Sequence, residues 1–171
     1  ITQGPFKVLT EEELLLVQAA AQDRKISRNE VLFCEGESAE ALWLIQSGWV
    51  QLKRKVSQER ELTLDIATPK DNICGLSAFI GGHYMATAFA ATSVSALKIP
   101  ASVLRPLMNS NSQLAICIAR LIHSRYRHIT SAYANAFTTV DQRIASVLLR
   151  LEEDFGKVLP VTRREVAELA G

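Results

Sequence analysis

Between Val31 and Ile99 the chain carries six short β-rich runs, which are bounded by turn residues such as Ser47 and Gly48. The runs occupy residues 31–34, 42–46, 49–56, 61–67, 86–91 and 94–99. Several short strands at such close spacing are typical of antiparallel architectures. The sequence therefore predicts a roll or barrel of antiparallel strands over this region.

Helical patterns precede and follow the β-rich region. A capping box from Thr10 to Glu13 opens a short helix near 10–21. After Pro106 the apolar residues recur at helical spacing, which predicts a long helix over 111–136. One stripe of this helix alternates steps of three and four residues, as in the seam of a coiled coil: Ala115, Ile118, Ile122, Arg125, Ile129, Ala132 and Ala136.

A second stripe runs beside the first and comprises Leu114, Cys117, Leu121, Ser124 and His128. If this second stripe covers the chain's own roll, the first is free to face another molecule. A helix that buries two faces predicts a homodimer, with the first stripe as its interface. The alternative is a single broad face turned towards the core of one chain.

Two more capping boxes lie near the carboxyl end, one from Thr139 to Gln142 and one from Thr162 to Glu165. The first opens a helix that ends near Gly156. The second opens a short helix followed by Gly171, which is typical of the start of a helix-turn-helix. Because this helical pattern has only just begun where the chain stops, we interpret the chain as a fragment at its carboxyl end.

The charge is balanced overall but distributed unevenly. The chain has 19 Lys and Arg against 18 Asp and Glu. Residues 1–100 hold ten bases and twelve acids, whereas residues 101–171 hold nine bases and six acids. A contact with a polyanion is therefore expected in the second half of the chain.

Several classes of protein and site are disfavoured. The three cysteines, Cys34, Cys74 and Cys117, are too scattered for a disulfide framework or a metal ribbon, so no metal site is expected. No apolar run approaches the roughly 20 residues that span a bilayer, and the chain does not open with a signal peptide, which predicts a cytoplasmic protein without membrane contact. Neither a nucleophile elbow nor a P-loop is present, so no enzymatic activity is expected.

The apolar segment from Asn72 to His83 is too long for a hairpin turn. A loop of this kind inside a β-roll is a place where a ligand can sit.

The order of elements resembles the family of the cyclic-AMP receptor protein and the fumarate-nitrate reduction regulator. The resemblance covers nearly the whole chain from about residue 8. The matching residues are Glu35-Gly36-Glu37, Leu42 to Gly48, Gly75 with Phe79, Ala86-Thr87-Ala88, Leu97 to Pro100, Gln142 to Ala145, and Thr162 to Gly171.

The resemblance implies an α+β protein in three parts. Residues 1–110 would form a sensory antiparallel β-roll, a cyclic-nucleotide-binding-like jelly roll with an N-terminal helix. Residues 111–136 would form a long dimerisation helix. Residues 137–171 would begin a winged helix-turn-helix that binds a palindromic operator, without the recognition helix and wing. DNA and RNA polymerase are the partners that the resemblance implies.

The carboxyl-terminal part contains the residues expected to contact DNA and to form the hinge. Thr162, Arg163 and Arg164 stand at the start of the last helix, where free backbone N–H groups and two guanidinium groups suit a DNA phosphate. An ordinary capped helix with solvated arginines is the alternative. Phe137, Thr138 and Thr139 join the long helix to this part and are expected to be its hinge.

The effector is expected to bind the loop and the strand after it, at Cys74, Gly75, Leu76, Ser77, His83, Ala86 and Thr87. Family members that bind cyclic nucleotide carry a Gly-Glu pair and an Arg-Ser or Arg-Thr pair. Here the corresponding positions read Gly75-Leu76 and Met85-Ala86, and no arginine lies between Arg60 and Arg105. A buried cyclic phosphate without its guanidinium is costly, so cyclic AMP is disfavoured.

The identity of the effector stays open. Three cysteines do not supply the four thiolates of an iron-sulfur cluster. Haem is retained as an alternative, because Cys74 resembles the position of a thiolate ligand in a carbon-monoxide-sensing relative and His83 lies on the same loop. A small effector of another kind, or none, is the remaining alternative.

Two functions from different classes remain. One is a DNA-binding transcription regulator whose roll senses a small effector. The other is a β-roll module that binds a ligand or protein without DNA. Residues beyond Gly171 would distinguish the two, since a recognition helix reads base edges.

Overall fold

Two four-stranded antiparallel sheets pack against each other as a β-roll. The structure is a computed structural model, and it describes residues 4–57, 61–69, 71–73, 75–135 and 138–170. The sheets have the strand orders β1-β8-β3-β6 and β2-β7-β4-β5. The strands are β1 (Gln22–Ile26), β2 (Val31–Phe33), β3 (Ala41–Ser47), β4 (Val50–Lys55), β5 (Glu61–Ala67), β6 (Asn72–Ile73), β7 (Thr87–Ala90) and β8 (Val94–Pro100).

After a 3₁₀ helix at Gly4–Val8, helices precede, interrupt and follow the strands of the roll in sequence. They are α1 (Glu11–Ala20), α2 (Gly75–Ile80), α3 (Ala101–Ser110), α4 (Ser112–Asn135), α5 (Val140–Phe155) and α6 (Arg163–Ala170). The expected antiparallel roll followed by helices is confirmed. The capping boxes at Thr10 and Thr139 are also formed, with side-chain and backbone groups bonded reciprocally.

Strands β1 and β6 are missing from the sequence prediction. Strand β1 reads Gln-Asp-Arg-Lys-Ile, and its first four residues are exposed, so the alternation of polar and apolar residues is absent. It is held by pairing with β8 at the edge of the first sheet. Charged residues are common on such edges because they discourage pairing with another chain.

Helix α3 begins at Ala101, whereas the sequence pattern predicts helical periodicity only after Pro106. Pro106 lies inside α3, where it has no N–H to bond the carbonyl four residues earlier. The helix forms nevertheless, because Ala101, Leu104 and Leu107 are buried on one side of it. Tertiary packing therefore overrides the local penalty of the proline.

Asn111 separates α3 from α4 and connects three segments. Its side-chain Oδ1 accepts from the Leu114 N–H at 3.0 Å. Its Nδ2 donates to Glu13 Oε2 at 2.9 Å, and Glu13 is the residue that closes the capping box of α1. The start of the long helix is thus fixed to the start of the first helix.

Three apolar clusters hold the chain together. The first fills the roll between its two sheets and includes Phe33, Trp43 and Tyr84. The second lies between the roll and helices α1 to α4. The third joins the roll to α5 and α6 around Trp49 and Leu151.

The inward face of α4 differs from the predicted one. Ile118, assigned from sequence to the dimer seam, is only 3% exposed and packs with Leu114 in the second cluster of the same chain. The two residues are one helical turn apart and therefore share a face. Ala115 is half-buried, whereas Ile122 and Tyr126 are exposed. The side chains of Arg125, Ile129 and Ala132, and the whole of Ala136, lie outside the described residues.

Candidate functional site

Backbone hydrogen bonds join the turn after β2 to the segment before β7. The Gly36 N–H donates to the Tyr84 carbonyl at 2.9 Å, and the Tyr84 N–H donates to the Glu37 carbonyl at 2.9 Å. The Ala39 N–H donates to the Gly82 carbonyl at 2.8 Å. The segment that carries the predicted effector residues is therefore anchored to the turn that carries the Glu35-Gly36-Glu37 motif.

Side chains strengthen this junction. The Glu35 N–H donates to Thr87 Oγ1 at 3.0 Å, and the Cys34 N–H donates to Glu37 Oε2 at 3.0 Å. Arg54 on β4 pairs its Nε with Glu35 Oε1 at 3.0 Å. Sequence reasoning missed Arg54, because its approach to this site depends on the pairing of β4 with β7, which places Lys53 opposite Thr87.

The predicted effector loop contains β6 and the short helix α2. Ala78 and Phe79 of α2 are buried, whereas Leu76 is exposed and Ser77 is half-buried. Gly75 is the first residue of the helix. The apolar residues of the loop are thus explained by its packing, because Ala78 and Phe79 belong to the second cluster.

The other described residues of the predicted effector site differ in exposure. His83 is exposed, and its backbone forms an isolated bridge with Ser38. Ala86 is buried and Thr87 half-buried, with the Thr87 hydroxyl bonded to Glu35. Cys74 lies outside the described residues, so the Cys74 and His83 haem arrangement is untested.

Arg105 on α3 is the arginine that follows the loop in sequence. Its Nε donates to the Ala78 carbonyl at 3.1 Å, and its Nη2 lies 3.5 Å from the Ala39 carbonyl. These contacts fasten α2 to α3 and to the turn before β3. The guanidinium is therefore engaged with backbone carbonyls of this junction.

Aromatic side chains fill the interior of the roll beside this loop. The rings of Phe33 and Tyr84 are stacked with centroids 4.0 Å apart, and Trp43 lies 6.3 Å from Phe33. The Tyr84 hydroxyl donates to the Ala41 carbonyl at 3.1 Å. The space between the sheets is thus occupied by side chains that also satisfy their polar atoms with backbone, Trp43 Nε1 excepted.

The loop and the long helix share one apolar core. Phe79 of α2 belongs to the same cluster as Leu104 of α3 and as Leu114 and Ile118 of α4. A displacement of α2 would therefore change the packing of α4, because close-packed cores do not absorb local shifts without rearrangement.

The carboxyl-terminal helix α6 begins with the expected cap. Thr162 Oγ1 accepts from the Glu165 N–H at 3.2 Å, and the Thr162 N–H donates to Glu165 Oε2 at 2.6 Å. Arg163 and Arg164 are both exposed. Arg164 pairs with Glu168 one turn later, with Nε and Oε1 3.0 Å apart.

Arg143, the residue that follows the capping box of α5, has a structural role that sequence reasoning missed. Its Nη1 donates to the Thr138 carbonyl at 3.1 Å, and its Nε donates to the Ala170 carbonyl at 2.8 Å. One guanidinium thereby connects the predicted hinge to the end of α6. Thr139 caps α5 as expected, and Phe137 lies outside the described residues.

Helices α5 and α6 pack against the roll. Trp49, Ile66, Ala91 and Leu151 form the buried centre of the contact. Two ion pairs flank it: Lys53 Nζ lies 3.5 Å from Glu168 Oε2, and Arg150 Nη1 lies 3.7 Å from Asp65 Oδ1.

Two negative findings concern the described part of the chain. Its helices include none with the length and apolar character needed to cross a membrane. Among the same residues, no group of three or more His, Cys, Asp or Glu side chains is placed to hold a metal ion.

Comparison with known proteins supplies a family. Residues 23–111 match the model of the cyclic nucleotide-binding domain. The chain is 28% identical over 177 residues to the CRP-like cAMP-activated global transcriptional regulator of Mycobacterium tuberculosis, covering 98% of this chain and 79% of that protein.

Solved structures extend the likeness to most of the chain. The catabolite activator protein of Thermus thermophilus is 26% identical with a TM-score of 0.62, over 98% of this chain and 79% of that one. FixK2 of Bradyrhizobium japonicum, 21% identical, shares the fold with a TM-score of 0.81, over 88% of this chain and 77% of that one. The similarity thus extends beyond the roll into the helices that follow it.

Proposed function

Because this chain belongs to the cyclic nucleotide-binding domain family and, within it, to the CRP/FNR group, we propose that it is the sensory and dimerising part of a DNA-binding transcription regulator. The observation that carries the proposal is the shared core of α2, α3 and α4, in which Phe79 packs with Leu114 and Ile118. This core gives a ligand at the loop a physical route to the helix that would orient the DNA-binding part.

Allosteric control requires an element with two arrangements that the effector biases. We assign this role to helix α2, because it joins the loop to the rest of the chain: Arg105 holds its Ala78 carbonyl, and Phe79 packs in the same cluster as the start of α4. A ligand that moves α2 would strain both contacts. The effector would therefore act by changing the packing at the base of α4.

Cyclic AMP is not the proposed effector, although the names of relatives include it. The position expected to hold an arginine is Met85, which is 71% exposed, and the position expected to hold a glutamate is Leu76. Arg105 is engaged with two backbone carbonyls. Binding a cyclic phosphate would leave its charge without a free guanidinium, which is costly in a buried site.

The proposed dimer uses the exposed side of α4. Ile122 and Tyr126 are exposed there at one-turn spacing, and the half-buried Ala115 precedes Ile122 by about two turns. The proposed interface also includes Arg125, Ile129, Ala132 and Ala136, which the sequence pattern assigns to it. Two copies would then place their α5 and α6 regions on a palindromic operator, as two-fold symmetry requires.

The test is selection of DNA from a random pool by the native protein that contains this sequence. We expect enrichment of a palindrome whose half-sites are one helical turn of DNA apart. The Ile122→Glu variant of that protein, which disrupts the proposed dimer interface, is the matched control and should not enrich the palindrome. Absence of enrichment by the native protein would contradict the regulator and favour a β-roll module that binds without DNA.

A further inference from the structure

A cavity of about 430 Å³ opens between β1 and β2, away from the effector loop. Its lining includes Arg24, Lys25, Glu30, Trp43 and Lys98, and none of its lining residues belongs to the segment 72–87. Its volume is in the range of small-molecule sites, which is roughly 300–1,000 Å³.

The register of the sheet turns two of the cations towards the inside of the roll. Arg24 lies opposite Ala96, which is buried in the roll core, and Lys98 follows two residues later on the same strand. Alternate residues of a strand share a face, so Arg24 and Lys98 both project from the inward side. Lys98 is half-buried, and its Nζ stands 5.5 Å from the centroid of the Trp43 ring.

The positive charge of this cavity is not neutralised within the described residues. No ion pair among them involves Arg24, Lys25 or Lys98, and Arg24 Nη2 donates to the uncharged Gln22 Oε1 at 2.9 Å. The one lining carboxylate, Glu30, accepts from the Ser27 N–H at 2.6 Å in the β1–β2 turn. Three cations and one carboxylate therefore leave a formal excess of two positive charges.

Protection of the sheet edge does not account for this cluster. Exposed Arg24 and Lys25 lie on the edge strand β1, where charges discourage pairing with other chains. Lys98, however, lies on β8, between β1 and β3 in the interior of the sheet. A half-buried lysine on a central strand needs another explanation.

Trp43 provides an independent observation at the same place. It is 6% exposed, and its Nε1 has no hydrogen-bond partner among the described residues. Buried donors in proteins are nearly always satisfied, so an orphaned indole N–H indicates a missing partner such as a ligand or water. Trp43 lines the cavity, so an acceptor bound there is a candidate for this missing partner.

We propose that this cavity binds a small organic or inorganic anion with two or more negative charges, which are carried by phosphate or by several carboxylates. Lys98 and Arg24 hold the anionic end, and the indole of Trp43 forms the floor beside it. The site is separate from the effector loop, and the proposal does not depend on whether the protein binds DNA.

The test is an NMR titration of the ¹⁵N-labelled chain with pyrophosphate and, separately, with citrate. The chain has two tryptophans, so the indole N–H of Trp43 is assigned by its loss in Trp43→Phe. We expect saturable displacement of this resonance with a Kd below about 1 mM for at least one probe. A response to pyrophosphate alone identifies phosphate chemistry, and a response to citrate alone identifies carboxylates.

Matched variants separate the site from general charge effects. Lys98→Gln should weaken binding at least about tenfold, since it removes a charge-assisted contact, whereas Lys55→Gln on the opposite sheet should leave the Kd unchanged. If Lys98→Gln fails to fold, Arg24→Gln on the exposed edge strand serves in its place. Shifts that merely follow ionic strength in a KCl titration, or equal affinities for the Lys98 and Lys55 variants, would overturn the proposal.

Discussion

Gly48 connects β3 to β4 in a conformation that other residues adopt at a cost. Its φ is +74°, and a Cβ placed on it would stand 2.2 Å from the Ser93 carbonyl oxygen. The turn brings Trp49 under α5, where its ring meets Phe155 edge-on with centroids 6.1 Å apart. The glycine therefore determines how the roll meets the carboxyl-terminal helices.

Gly48→Ala should destabilise the fold by about 2 kcal/mol or more, because the left-handed conformation costs about 1–2 kcal/mol and the Cβ clash adds to it. Urea unfolding measures the free energy. Gly36→Ala is the matched control: Gly36 has a φ of +84°, but nothing lies within 4 Å of its Cβ position. Equal losses for the two variants would show that the close approach of Ser93 does not matter.

The expected weak affinity for cyclic AMP also depends on individual residues. Leu76 and Met85 occupy the positions expected for a glutamate and an arginine, and neither supplies a charge. We expect calorimetry of the chain with cyclic AMP to give an affinity weaker than about 0.1 mM. A micromolar affinity would show that another group, such as Arg54, receives the phosphate.

At the scale of elements, one row of α4 changes environment along the length of the helix. Leu114 and Ile118 face the chain's own core, while Ile122 and Tyr126, further along the same row, are exposed. The four residues follow one another at a spacing of four, so each is only about 40° around the helix from the one before it. Sequence periodicity alone therefore cannot show that Ile118 is buried in its own chain and Ile122 is not.

Ile122→Glu should convert a dimer into monomers, because it places a charge in the proposed interface. Light scattering would then give about half the mass of the parent chain. Ile116→Glu is the control, since Ile116 is also exposed but lies about 120° around the helix. A dimeric Ile122→Glu variant would contradict the interface. Ile118→Glu tests the core instead, and it should lower the free energy of unfolding.

Elements with local signals were predictable from sequence, and those formed by distant contacts were not. The caps at Thr10, Thr139 and Thr162 depend on residues three positions apart, so the sequence predicts them directly. Strand β1 is formed by its pairing with β8, about 70 residues later. Its own residues carry no apolar alternation, so no local pattern reveals it.

In the candidate site, too, features with a local sequence signal were predictable and features formed by distant contacts were not. The sequence located the loop and the missing arginine, because both are properties of a continuous segment. Arg54, Arg105 and Arg143 act on backbone or side chains 19 to 27 residues away. Such contacts depend on how elements pack, and no spacing rule predicts them.

At the scale of the whole molecule, the third apolar cluster makes α5 and α6 part of the same packed body as the roll. Glu168 of α6 lies between two cations: its Oε2 faces Lys53 on the roll, and its Oε1 faces Arg164 on its own helix. Arg164 is 88% exposed, so this pair contributes little to stability. Its guanidinium can therefore leave Glu168 for a stronger anion at small cost.

If the protein binds DNA as proposed, the stronger anion for Arg164 is a DNA phosphate. In the native protein that contains this sequence, changing both Arg163 and Arg164 to Ala should weaken binding to specific and unrelated DNA by similar factors. The dependence of affinity on salt should flatten by about one counterion per lost phosphate contact. Binding isotherms at several salt concentrations measure both effects.

Lys157→Ala is the matched control, because Lys157 is an exposed base in the α5–α6 connection rather than at the start of α6. It should leave the salt dependence nearly unchanged if the contact is local to the capped helix end. A loss confined to one base pair would instead show that Arg163 or Arg164 reads a base edge, since phosphate contacts carry no sequence information. Equal effects of the Lys157 and arginine variants would show that Arg163 and Arg164 act only through general surface charge. Thr162 would then serve only to cap the helix.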